Sequence, residues 1–224
     1  DLPDKIIEET YYFRWWTYRK HIKNTDDGFV ITEFLPIVNW SGKHNTINCP
    51  AAHHIYEGRW LRNPKFISEY INFWLENSGD GIRQYSFWIA DATLAFNNIH
   101  RNDSILSNQL EPLIKNYNQW EKIRRDEGKS LFFQWDLADG MEVTASGRIL
   151  NSGVRKFGVE AIRPTINSYM YGDAKAISKI SNITNNFDKV QEFENKATIL
   201  KQKLQSRLWN KELNFFTVLP KDYD

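Results

Sequence analysis

The sequence predicts a mainly α-helical protein whose paired helices stack side by side, either curving into a solenoid or closing into an α/α toroid. Three observations carry that expectation. Apolar residues recur at three and four spacing over most of the chain, and the helical segments come in pairs joined by short polar turns. Within each pair the first member is aromatic or alanine-rich (AAHHIYEGRWL, YSFWIADATLAF, INSYMYGDAKAI), whereas the second is amphipathic and heavily charged, as in QEFENKATILKQKLQSRLW. That contrast predicts an inner row of helices covered by an outer row.

Taken in order, Asp4 to Lys23 reads as a helix. Asp4 can cap it, Glu8 and Glu9 favour its positive end, and Ile7, Tyr11, Arg14, Trp15, Tyr18 and Ile22 share one face. The polar turn NTDDG ends it. FVITEFL, Phe29 to Leu35, is β-branched and aromatic and reads as a short strand stopped by Pro36. Pro36 to Pro50 is loop, with Lys43, His44, Asn45 and Asn48 as its polar residues.

Paired helices follow. Ala51–Arg62 and Pro64–Asn77 are separated by Asn-Pro, with proline suited to the first turn of the second helix. Gln84–His100 and Ser104–Arg125 repeat the theme across RND, and Thr165–Ile183 and Phe187–Leu208 repeat it across NITNN. The long excursions at 36–50 and 126–164 each precede an inner helix. They are therefore expected around a central cleft at the inner-helix ends, where ligands bind.

Composition narrows the function. At 224 residues and 41% hydrophobic, the chain can form one large domain or two small ones and bury roughly 70% of its unfolded surface. A net charge of +1 with no basic stripe argues against nucleic acid as the main partner. Aromatic residues make up 15%, and rings with polar edges suit the apolar faces of sugars. Cys49 is the single cysteine, read as a small buried hydrophobe, and it gives no intrachain disulfide. No apolar run is long enough for a membrane span, and DLPDKIIEET has no signal-peptide core, so an export signal would lie outside this sequence.

The residues that could carry chemistry concentrate in the loop 126–164. A loop this long is expected to be functional or partly stranded, and SLFFQW can be one strand. It holds Asp136, Asp139 and Glu142, the last two within DGMEVTASG. A glycosidase needs one carboxyl to protonate the leaving oxygen and a second to activate water or attack carbon. The plainer reading is that Asp139 and Glu142 cap turns or pair with Arg148, Arg155 or Arg163. Composition and spacing leave both open.

Binding candidates lie on the inner helices. Arg163, Asn167, Tyr171 and Asp173 open the third, with Asn167 and Tyr171 four apart on one face. Trp88 and Asp91 take the same part on the second, and His53, His54, Glu57 and Arg59 cluster on the first, with Asn45 in the loop before it. His53 and Glu57 are one turn apart, but HHIYE lacks the zincin order and has no third ligand in step, so no metal is expected. The scattered His and single Cys give no nucleophile–base triad either.

Taken together, YYFRWWTYRKHI, HNTINCPAAHHIYEGRWLRNP, DGMEVTASG, RPTINSYMYGDAKAI and LWNKELNFF resemble the six-hairpin glycosidases of the trehalase and glycoside hydrolase family 63 type, including mannosylglycerate-hydrolase-like catalytic domains. The resemblance spans nearly the whole chain. It implies a carbohydrate substrate, no cofactor, an inverting mechanism, and a general acid that maps to Glu142, where the relatives carry Asp. Asp139 is then the fallback proton donor. A protonated acid needs a raised pKa, for which Asp139 or Asp136 could supply the negative field and Trp135 and Met141 the dry wall.

The resemblance also places the catalytic base late in the toroid, beyond these residues. About three of six helix pairs are present, which makes residues 1–224 the N-terminal part of one catalytic domain. Its open ends would then be covered by the rest of that domain or by another chain. A periplasmic or secreted location is implied as well. Two rivals remain at this point. One is a polysaccharide lyase using His53, Tyr56 and Arg59, and the other is a non-catalytic carbohydrate-binding module.

Overall fold

The structure, a computed structural model, describes residues 2–141 and 160–221. It is mainly helical, with short strands, and forms part of an α/α toroid. Helix α1 spans Lys5–His21, and the Asp4 carboxylate caps it by accepting from the Ile6 and Ile7 amides at 2.9 and 3.3 Å. Only its last turns join the body, through Trp15, the buried Tyr18 and Ile22. Ile7 and Tyr11, expected on the packed face, are exposed instead, as are Ile6, Tyr12, Phe13 and Trp16.

The segment NTDDG is a hairpin turn rather than a simple helix stop. Strand β1 (Ile22–Thr25) pairs antiparallel with β2 (Gly28–Ile31), Ile22 opposite Ile31. The predicted strand to Leu35 ends early because its next amides bond elsewhere: Thr32 N donates to His21 O at 2.9 Å, and Glu33 N to Asn45 O at 3.2 Å.

The predicted pairs are all present. α2 (Ala51–Gly58) and α3 (Lys65–Asn72) form the first, and α3 continues in a wider π-helical turn, Phe73–Asn77. α4 (Ile89–His100) and α5 (Asp103–Arg124) form the second; α6 (Pro164–Ile183) and α7 (Phe187–Leu208) form the third. α4 lies between α2 and α6, which makes these three the inner row, while α3, α5 and α7 lie outside. Their interface is a continuous core including Ile55, Ile67, Phe87, Leu113, Trp120 and Phe193. Each such burial is worth roughly 1.5–3 kcal/mol.

Between the second and third pairs, β3 (Arg125–Asp126), β4 (Leu131–Gln134), β5 (Ala161–Ile162) and β8 (Leu219–Pro220) form a four-stranded antiparallel sheet in that order. A second hairpin joins β6 (Trp209–Asn210) to β7 (Phe215–Phe216). β4 is buried along its whole length and anchors the loop that precedes α6. No helix of the described residues is long and apolar enough to cross a membrane.

α4 begins at Ile89, five residues later than its periodicity predicts from Gln84. No side chain of its own caps it. Instead Asp173, on α6, accepts from the Ala90 and Asp91 amides, both at 3.0 Å. The preceding Tyr85–Trp88 segment is extended and held by Asn48, which accepts from Tyr85 N at 3.1 Å and donates to Ile82 O and Tyr85 O at 2.9 and 2.7 Å. A cap supplied from 80 residues away cannot be read from local sequence.

Candidate active site

The inner helices present their N-terminal turns to one end of the molecule, and the loop after β4 reaches that same end. Residues Leu137–Asp139 form a 3₁₀ turn closed by Gly140 in the left-handed region at φ 76°. The Asp139 amide donates to Trp135 O and Met141 N to Asp136 O, while Ala138 O accepts from Ser86 N at 2.8 Å. The turn is thus stitched to the segment that leads into α4.

Asp139 is the carboxyl so placed. It is 7% exposed and accepts from the Ser86 hydroxyl at 2.6 Å. Burial pushes its pKa up to about 6, against the opposing hydrogen bonds from Ser86 and Thr165. Cys49 packs against this turn: a Cβ at Gly140 would stand 3.4 Å from its sulfur. The thiol is half-buried rather than fully buried, and burial together with Glu33 and Asp139 raises its pKa.

An aromatic wall stands beside the turn. The Trp88 and Tyr169 rings meet at 4.3 Å and 41°, and the exposed His53 meets Trp88 edge-on at 4.8 Å. One turn deeper, the Tyr56 hydroxyl donates a short hydrogen bond to Asp91 Oδ2. Burial and that carboxylate push the Tyr56 pKa up to about 12. The Arg59 guanidinium lies 4.6 Å from the Tyr56 ring and 5.1 Å from that of Trp60.

Trp88 meets His53 and Tyr169, and Asp91 and Arg59 both meet Tyr56, so these four candidates share one run of contacts on the inner helices, with Tyr169 near Asp139. Other candidates are taken up by the fold. Asn167 is fully buried: Oδ1 accepts from Phe132 N at 2.8 Å, and Nδ2 donates to Phe132 O and Arg163 O at 2.8 and 2.7 Å, so it clamps β4 and has no group left for a sugar. Arg163 is buried in an ion pair with Asp136 and donates from Nε to Gln134 O. That pairing also neutralises Asp136 as a source of negative field.

Asp173 is buried capping α4, and burial holds its pKa well above the usual carboxylate range. Lys175, two residues on, pairs with Glu194 at 2.6 Å. Tyr171 packs at the edge of the core. Asn45, at φ 61°, spends its side chain on its own loop, accepting from Val38 N and Ser41 Oγ and donating to Phe34 O and Pro36 O. Trp135 and Met141, expected as the dry wall for Glu142, are exposed, and Ser86, Thr165 and Cys49 lie around the Asp139 turn. Glu142, Arg148 and Arg155 lie outside the described residues.

Sequence reasoning missed Ser86, Thr165, Ser168 and Tyr169. Thr165 and Tyr169 are four apart and follow the Pro164 helix start, a spacing that carries one to Asp139 and the other to Trp88. That was legible, but it competed with the more polar Asn167 and Asp173.

The partial α/α toroid is the fold of the six-hairpin glycosidases. The chain belongs to the mannosylglycerate hydrolase MGH1-like glycoside hydrolase domain family, whose model matches residues 43–223. It is also similar to a solved structure described as a sialidase, with a TM-score of 0.88 and 37% identity. That match covers 100% of this chain, which spans only 20% of the sialidase chain. Among curated proteins nothing matches it.

Proposed function

We propose that this chain supplies the acid half of an inverting glycoside hydrolase acting on an oligosaccharide or glycoside. The observation that carries the reading is the Asp139 carboxyl, sequestered from water with its pKa at about 6 at the edge of an aromatic-walled cleft. A group in that state is half-protonated near pH 6 and suits proton transfer to a departing sugar oxygen.

Glu142, three residues on, takes the donor role that the family pattern implies. Asp139 is then the anchored partner that fixes the turn through Ser86 and Thr165 and shares its proton with the site. The aromatic pair binds sugar faces, and Asp91, held by Tyr56, accepts hydroxyl protons. The family pattern gives the water-activating role to a second carboxylate that is not among the residues assigned here.

A lyase reading is disfavoured by Tyr56. Proton abstraction from carbon needs a depressed phenol pKa, whereas this one is pushed up to about 12 by burial and Asp91.

The test is Glu142→Gln and Asp139→Asn in the complete polypeptide, assayed on an alkyl glycoside and on a 4-nitrophenyl glycoside. Loss of the general acid should lower alkyl glycoside turnover by about 10²–10⁴ while sparing the activated substrate, whose leaving group needs little protonation. If Asp139→Asn shows that split and Glu142→Gln does not, the donor is Asp139. If neither does, the proton-donor assignment is wrong.

A further inference from the structure

α6 contains a glycine that no described residue crowds. Gly58, by contrast, has an evident reason: a Cβ there would stand 2.1 Å from the Tyr18 hydroxyl oxygen and 2.2 Å from Ile67 Cδ1. At Gly172 a Cβ would meet nothing within 4 Å, and the backbone is ordinary helix without a positive φ. A glycine inside a helix weakens it relative to alanine. Here no close contact among the described residues compensates.

Its surroundings indicate what the space is for. Ser168, one turn earlier on the same face, is exposed, and Tyr169 borders that face with its ring against Trp88. The Tyr169 hydroxyl makes no hydrogen bond among the described residues, although the ring is half-buried. It also lies close enough to Asp139 and Cys49 for both to act on its ionisation. The result is a bare stretch of helix, a polar rim and an aromatic wall, of which Tyr169 lies near the candidate acid.

We infer that this face of α6 is a sugar subsite: a pyranose ring lies against the helix backbone at Gly172, beside the Trp88–Tyr169 pair, with the Tyr169 hydroxyl bonded to a ring substituent. A methyl group at position 172 would occupy the space of the ring. The bonded phenol selects for a hydroxyl or amide at one ring position. This rests on the glycosidase reading for its ligand class, but not on which carboxyl donates the proton.

The experiment pairs Gly172→Ala with Tyr169→Phe in the complete polypeptide. Turnover is read on a panel of 4-nitrophenyl glycopyranosides, binding by calorimetry on the corresponding free oligosaccharides, and stability by Tm. Gly172→Ala should raise Tm by about 2 °C, since alanine is the better helix former, while kcat/KM and affinity fall about tenfold. Tyr169→Phe should leave Tm nearly unchanged and weaken binding about fivefold, through loss of one hydrogen bond. A purely structural role predicts the reverse for Gly172→Ala: a lower Tm with intact binding of the sugars. Wild-type turnover and binding unaffected by either variant would overturn the subsite alone. Sugar binding that depends on Gly172 in a wild type without turnover would overturn the hydrolase reading and leave the subsite standing.

Discussion

The two sides of α6 use similar residues for opposite ends. On one side Asn167 and Asp173 are buried with their polar atoms engaged: one clamps β4 and the other caps α4. On the other, Ser168, Tyr169 and Gly172 leave a hydroxyl, a phenol and a stretch of backbone uncommitted among the described residues. The most polar residues of the helix are thus its structural ones. The plainer ones carry the proposed subsite. Buried polar groups must find partners within the protein, so they are consumed by the fold, whereas a binding face is recognised by what it leaves unpaired.

The largest effect that would sharpen this contrast is Asn167→Ala. It strands the amide and carbonyl of Phe132 and removes a third bond to Arg163, so urea unfolding should show a loss of about 3–5 kcal/mol. If the loss were under about 1 kcal/mol, the two sides would not differ as described.

Next comes a pH dependence built from opposed titrations. The Asp139 pKa is raised to about 6, so between about 4 and 6 the folded state holds a proton that the unfolded state releases, and stability falls as pH rises. His54 has the reverse shift: burial, with His21 and His53, lowers it to about 4, so its contribution is present above about 6.5 and is lost as pH falls toward 4. Each is worth about 3 kcal/mol at most. In the wild type the two limbs oppose each other from pH 4 to 6, with the raised Asp173 carboxyl adding to the Asp139 side. Relative to the wild type, Asp139→Asn should tilt the profile toward the His54 limb, with a greater loss of stability on acidification, measured by urea midpoints across that range. An unchanged profile in the variant would count against the buried state of Asp139.

How much of this could be read in advance differs by element. α6 and α7 were placed to within a residue because Pro164 marks the start of one, and the polar turn between them separates two clear periodicities. The start of α4 was not, because its cap comes from Asp173 on another helix. The extent of β2 was overestimated, since a β-branched run does not reveal where the partner strand stops. Trp88, Asp91 and His53 were legible as polar or aromatic residues at inner-helix starts, and Asp139 as an acid in the long loop. Asn45, Asn167, Arg163 and Asp173 looked the same in sequence, and only tertiary contacts show that they are spent on loops, strands and caps.

The central claim is that a carboxyl at the mouth of the inner helices retains its proton toward neutrality. Its most direct test is a carbon-13 NMR titration of the side-chain carboxyl of Asp139, assigned by its disappearance in Asp139→Asn. The account predicts a midpoint of about 6, and a midpoint at or below about 4, the value of a carboxylate in water, would contradict it.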